Sequence, residues 1–267
     1  MTIAELHGKL NPDRPCGAHE RMEDLLTSDV FGAMKYVGWQ YGFMNWLRSA
    51  KSPYGEHNAA NLLPANDIIR HVHFAFWPLL KNNREPDLLI GIETETSGIV
   101  QIMIEAKYFS GASDMEMDAE DVTPERSGNQ IADQVNCFPD AFPKVRDKGT
   151  RQIHMYVTAH DSCPAEIYDR ATAHIVRKDI PLFWLNWQSL PSYLEEIETE
   201  DGGRQEMIDD LIRLLQRKEL IPFRGFRIGS IGEWPSLIGQ SFWVVQPWWN
   251  VPLPELLSPT GFLEEKI

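Results

Sequence analysis

The sequence predicts a mixed α/β domain, a β-sheet flanked by helices, and three observations predict it. Residues 19–50 carry apolar side chains at three- and four-residue spacing, three β-rich segments follow in succession between 67 and 109, and helical and strand patterns alternate between 129 and 187. The expected order is helix, three strands, helix, strand, helix, strand and a helical C-terminal part. The chain has 267 residues, 43% hydrophobic and 24% charged, enough to bury a substantial core. The expected organisation is a Pro/Gly-bearing lead-in over 1–18, one domain over 19–220, and a Trp/Pro-rich extension over 221–267 packed on it.

The helical pattern is read from "HERMEDLLTSDVFGAMKYVGWQYGFMNWLRSA", where Met22, Leu25, Leu26, Val30, Phe31, Met34 and Val37 mark one face. Ser28 or Asp29 offers a restart point inside it. Residues 51–66 have turn composition and read as a loop. "DIIRHVHFAFWPLL", ended by Pro78, "PDLLIGI" and "GIVQIMIEAKYF" read as three strands, the last two joined by the turn "ETETSG", in a meander. Residues 112–128 are acidic and read as an exposed loop. "NQIADQVNCFPDAF" reads as a helix, "RQIHMYVTA" as a strand, "PAEIYDRATAHIVRKD" as a helix and "IPLFWLNW" as a buried strand. An acidic segment broken at Gly202-Gly203 then leads into the amphipathic "RQEMIDDLIRLLQRKEL".

Charge narrows the function classes. A net charge of −14 argues against coating nucleic acid through an overall basic field. It leaves room for a local basic groove, for which 143–151 and 213–227 are candidates; solvated loop and helix charge is the other reading of both. Cys16, Cys137 and Cys163 form neither a disulfide framework nor a zinc spacing, which points to a reducing, cytoplasmic setting. Neither a signal-like h-region nor a membrane-length apolar run is present.

The chemistry concentrates at the ends of the second and third strands. Glu105 and Lys107, two apart on a strand, share a face about 7 Å from each other. If the two strands pair across the 93–98 turn, Asp87 comes close to Glu105, and two carboxylates converge beside one ammonium while Val100, Ile102, Ile104 and Ala106 face the buried side. Such oxygen donors suit Mg²⁺. A neighbouring lysine can orient a metal-bound water or stabilise charge on a phosphate.

With "EPD" at 85–87, "EAK" at 105–107, a hairpin between them and this element order, the chain resembles the PD-(D/E)xK nuclease superfamily, the restriction-endonuclease-like fold. The resemblance implies a Mg²⁺-dependent nuclease, with Mn²⁺ as substitute, that hydrolyses phosphodiester bonds in DNA. It implies a 5′-phosphate product and a place in prokaryotic defence or DNA processing. It assigns metal binding to Asp87, Glu105 and the Ala106 carbonyl, and service of the attacking water to Lys107. It adds an acid from the first helix, with Glu23 favoured over Glu20 and Asp24, and a glutamine from the helix after the motif, Gln130, with Gln134 one turn later. The alternative is a catalytically silent nuclease-fold subunit that docks a protein partner through its acidic surface.

Other constellations carry less. His71 and His73 read as a polar stripe on a half-exposed strand rather than as metal ligands. "TAHDS" at 158–162 lacks a nucleophile elbow. The acids of 114–125 lack the glycine of a calcium loop. Trp243, Trp248 and Trp249 read as cover for the core rather than as a stacking platform for bases. No P-loop or GxGxxG is present.

Overall fold

The computed structural model describes residues 18–38, 42–64, 67–96, 98–108, 126–141 and 150–222. The chain divides into Met1–Phe223 and Arg224–Ile267. The second unit, residues 1–17 of the lead-in expected over 1–18, the acidic residues 114–125, Cys16 and the tryptophans Trp243, Trp248 and Trp249 lie outside the described residues, as does most of 143–151.

Helix α1 (Ala18–Val37) runs unbroken through Ser28 and Asp29. No restart occurs, because the buried stripe of Leu26, Val30, Phe31, Met34 and Val37 continues across them. It ends at Gly38, whose φ of 113° suits glycine and whose N–H bonds the Met34 carbonyl at 3.2 Å. A separate helix α2 (Phe43–Arg48) follows Gly42, where φ is 71° and a Cβ would come within 2.7 Å of the Tyr193 carbonyl oxygen. The expected loop over 51–66 contains a short helix α3 (Ala59–Leu62), capped by Asn58, whose Oδ1 accepts from the Ala60 N–H at 2.8 Å.

Strands β1 (Ile69–Phe76), β2 (Leu88–Thr94), β3 (Ile99–Ala106), β4 (Arg151–Thr158) and β5 (Leu182–Asn186) form one five-stranded sheet in the order β1-β2-β3-β4-β5. The first three strands are an antiparallel meander, and β3, β4 and β5 run parallel. Parallel neighbours need a crossover, and helices α4 (Gln130–Ala141) and α5 (Ala165–Thr172) lie on the two crossovers. Helix α5 ends well short of the expected 179. Beyond β5 a turn of 3₁₀ helix (Trp187–Ser189) leads into α6 (Leu190–Glu195) and α7 (Gly202–Arg217). Gly202-Gly203 is thus the start of a helix rather than a break, because Asp201 Oδ1 caps the Arg204 N–H at 3.1 Å.

Two cores cover the sheet. One face carries Ile90, Ile102, Ile104, Met155, Val157 and Phe183 against α1, α2, α6 and α7. The other carries Leu89, Met103, Tyr156 and Trp184 against α4 and α5. Strand β3 is therefore buried on both faces, contrary to the one-sided burial expected from its alternation, and Gln101 and Glu105 are buried with it. Each large apolar side chain buried here contributes roughly 1.5–3 kcal/mol. His71 and His73 are exposed on edge strand β1, their rings 6.2 Å apart. No helix among the described residues is long and apolar enough to cross a membrane.

Candidate active site

The meander register pairs Leu88 with Ile104, and extending it by one residue sets Asp87 opposite Glu105. Asp87 is 6% exposed, and its carboxylate accepts from the Ala106 N–H at 2.7 Å and from Trp77 Nε1–H at 3.1 Å. Trp77 also donates its backbone N–H to the Asp87 carbonyl at 3.0 Å, and holds a φ of 45° to do so. For a bulky residue that conformation costs about 1–3 kcal/mol, a strain typical of functional sites.

Glu105 is 1% exposed. Its Oε1 accepts from Lys107 Nζ at 2.7 Å and from Gln130 Nε2 at 2.5 Å, and its Oε2 accepts from Gln134 Nε2 at 2.6 Å. Both glutamines come from α4, one helical turn apart. The start of α4 is pinned by a buried clasp in which Arg84 Nε donates to Asp133 Oδ2 at 2.9 Å and Asn82 Nδ2 to the Asp133 carbonyl at 2.8 Å.

From the other face of the sheet, α1 delivers Glu23. Its Oε1 accepts from Lys107 Nζ at 2.8 Å and its Oε2 from the Tyr108 N–H at 3.1 Å. Glu23 is thus the helix acid that reaches the lysine; the Glu20 side chain lies outside the described residues. Lys107 bridges the two layers, and its backbone is held on both sides. Its N–H donates to the Val157 carbonyl at 2.7 Å, and its carbonyl accepts from Trp187 Nε1–H at 2.9 Å. Trp187 in turn packs with Trp46 and Phe31, each at a ring separation of 5.8 Å. Tyr108 donates its hydroxyl to the Lys218 carbonyl at 2.8 Å, and the Lys218 ammonium sits 5.2 Å from the centre of its ring. That part of the basic stretch 213–227 is therefore joined to the site strand, while Arg213 pairs with Asp210 at 3.2 Å.

The electrostatics follow from three carboxylates facing one ammonium. Burial, and then the Glu105 charge, push the Asp87 carboxyl well above the usual carboxylate range against the pull of Lys107. Burial works to discharge Lys107, but Glu105, Asp87 and Glu23 together outweigh it and hold its pKa above the ordinary lysine value. The donors suit a hard divalent cation, since Asp87, Glu105 and Glu23 offer only oxygen. In the arrangement described, however, the oxygens are engaged by N–H donors and by Lys107. No group of three or more His, Cys, Asp or Glu side chains among the described residues stands ready to hold a metal.

Residues that the sequence reading missed complete the site. Trp77, Tyr108 and Trp187 carried no signal beyond being aromatic. His154 did carry one, as the single polar side chain inside the apolar run "IHMYV" of β4. It is fully buried, and burial pushes its imidazole down to about 3. In the unfolded chain it protonates near pH 6.5. Between those values the unfolded state binds the extra proton, so this contribution to stability is complete above about pH 6.5 and is lost on acidification at up to about 1.4 kcal/mol per pH unit. Urea unfolding of wild type and His154→Gln at pH 7.5, 6.5 and 5.5 is expected to show the wild type losing ground below pH 6.5. Parallel pH dependences would disprove the neutral buried imidazole.

His160 turns its Nδ1 to Thr158 Oγ1 at 2.9 Å, and that oxygen accepts from Trp184 Nε1–H at 2.9 Å, so the "TAHDS" stretch serves packing at a strand end. Compared with known proteins, the chain matches no protein family, no curated protein and no solved structure.

Proposed function

We propose that this chain is a Mg²⁺-dependent nuclease that hydrolyses phosphodiester bonds in DNA, with a restriction-endonuclease-like fold. The observation that carries the reading is the convergence of Glu23, Asp87, Glu105 and Lys107 from three distant segments at one end of a mixed sheet. Asp87, Glu105 and the Ala106 carbonyl would hold the cation, with Glu23 beside them. A divalent cation bound there would polarise a phosphoryl oxygen and acidify a water. Lys107, fixed at both backbone groups and charged through the pH range of life, presents a positive charge to an attacking water or to a phosphate. Gln130 and Gln134 keep Glu105 from rotating, and Trp77 does the same for Asp87.

The test is incubation of the purified chain with supercoiled, linear and single-stranded DNA in Mg²⁺, Mn²⁺ or EDTA, beside Glu105→Ala. Cation-dependent cleavage lost in the variant is expected. Equal cleavage by both proteins would remove the assignment.

One observation favours a second reading, a catalytically silent subunit that binds a protein partner. Both oxygens of Asp87, Glu105 and Glu23 already accept hydrogen bonds from the protein, so the cluster is satisfied as an internal ionic network. Wild-type inactivity on every DNA form, together with no Mn²⁺ binding, would select that reading.

A further inference from the structure

Glu105 is gripped from behind by a hydrogen-bond chain that ends at a histidine. Gln134 and His154 are each fully buried. Gln134 Nε2 lies 2.6 Å from Glu105 Oε2, and His154 Nε2 lies 3.0 Å from Gln134 Oε1. An ionised carboxylate only accepts, so the Gln134 amide must turn its NH₂ to Glu105 and its carbonyl to His154. The imidazole must then carry its proton on Nε2. His154 Nδ1 is left buried without a hydrogen-bond partner. An orphaned buried acceptor is a cost that an apolar residue at 154 would avoid, and it calls for a compensating role.

We propose that Gln134 and His154 are positioning residues that set the direction of the distal oxygen of Glu105, and through it the cation affinity of the cluster. This rests on the metal-dependent reading above. Partners of this kind, one step behind a ligand, change metal affinity by about 10–100-fold when removed.

Calorimetric titration of the full chain with Mn²⁺ tests it, using wild type, Gln134→Leu, His154→Phe and His154→Gln, with thermal melting of each as a fold check. Gln134→Leu and His154→Phe are expected to bind Mn²⁺ about 10–100-fold more weakly while melting cooperatively. His154→Gln, whose amide can donate to Gln134 Oε1, recovers most of the loss. Unchanged affinity in the first two variants overturns the positioning role and leaves the metal reading standing. A wild type that binds no Mn²⁺ overturns both.

A second measurement does not depend on Gln134→Leu or His154→Phe being stable. Imidazole ¹⁵N spectra of the labelled protein, with the His154 signals identified by their loss in His154→Gln, are expected to show the Nε2–H tautomer. In Glu105→Gln the neutral amide no longer dictates which end of Gln134 faces it, and the His154 tautomer population shifts. The same tautomer in both proteins would break the chain between Glu105 and His154.

Discussion

Lys107→Met lowers the unfolding free energy by about 3–5 kcal/mol in metal-free buffer, the range for breaking a buried ion pair from one side. The Lys107 side chain is 12% exposed, and its ammonium bonds Glu105 at 2.7 Å and Glu23 at 2.8 Å, with Asp87 contributing to the same field. Removing it leaves three carboxylates with no cation among them. If the cluster takes a divalent cation, Mn²⁺ at about 100 times its Kd then returns roughly 2.7 kcal/mol by mass action on the folded state. On the proposed nuclease function, DNA cleavage falls by about 10²–10³-fold, the cost of losing one group that stabilises charge in the transition state. Urea unfolding in EDTA and in Mn²⁺ reads the first two effects. A variant as stable as wild type in EDTA would mean that the Lys107 ammonium does not offset buried carboxylate charge, and a variant indifferent to Mn²⁺ would remove the cation.

On the proposed nuclease function, Asp87→Ala lowers cation-dependent cleavage by about 10²–10³-fold or more, yet disturbs the fold less than its burial implies. Two donors, the Ala106 N–H and Trp77 Nε1–H, lose their acceptor at about 1–3 kcal/mol each. Against this, the variant no longer buries a carboxylate beside Glu105. Asn is no milder a replacement, because its single acceptor serves one donor and its NH₂ faces the other. The sign of the pH dependence follows from the direction of the Asp87 shift. The unfolded carboxyl ionises near pH 3.9 and the folded one at higher pH, so the folded state holds an extra proton between them. The stability contributed by Asp87 is present at low pH and is lost as pH rises through its folded pKa. Wild type therefore gains on Asp87→Ala as pH falls from 8 towards 4, the reverse of the trend at His154. A difference that stays constant with pH would contradict a buried, repelled Asp87.

The strands were legible because their signals are local. The apolar runs "PDLLIGI" and "GIVQIMIEAKYF" and the turn between them set a register that carries Asp87 to Glu105 without help from the rest of the chain. Helix ends were less legible. The pattern over 19–50 is one apolar face in sequence but two helices in space, because Gly42 must approach the Tyr193 carbonyl more closely than any side chain allows. The loop over 51–66 also escaped a reading by composition. Lys51 exchanges backbone hydrogen bonds with Trp184 at 2.9 and 2.8 Å, so this segment continues the far edge of the sheet beside β5, a role that depends on a partner 133 residues away.

The amino-acid order alone determined that an acid at 87, an acid at 105 and a lysine at 107 gather at one end of a hairpin, since antiparallel pairing across a short turn and the two-residue strand repeat leave no other arrangement. Tertiary structure brought Glu23, the helix acid the resemblance favoured, to Lys107 and set both Gln130 and Gln134 on Glu105, and it added a buried histidine and two tryptophans that no motif pointed to. Glu23 meets Lys107 across 84 residues and Gln134 meets His154 across 20, through the packing of α1 on one face of the sheet and α4 on the other. Contacts between packed layers depend on where whole elements come to rest, and no period or spacing along the chain encodes that.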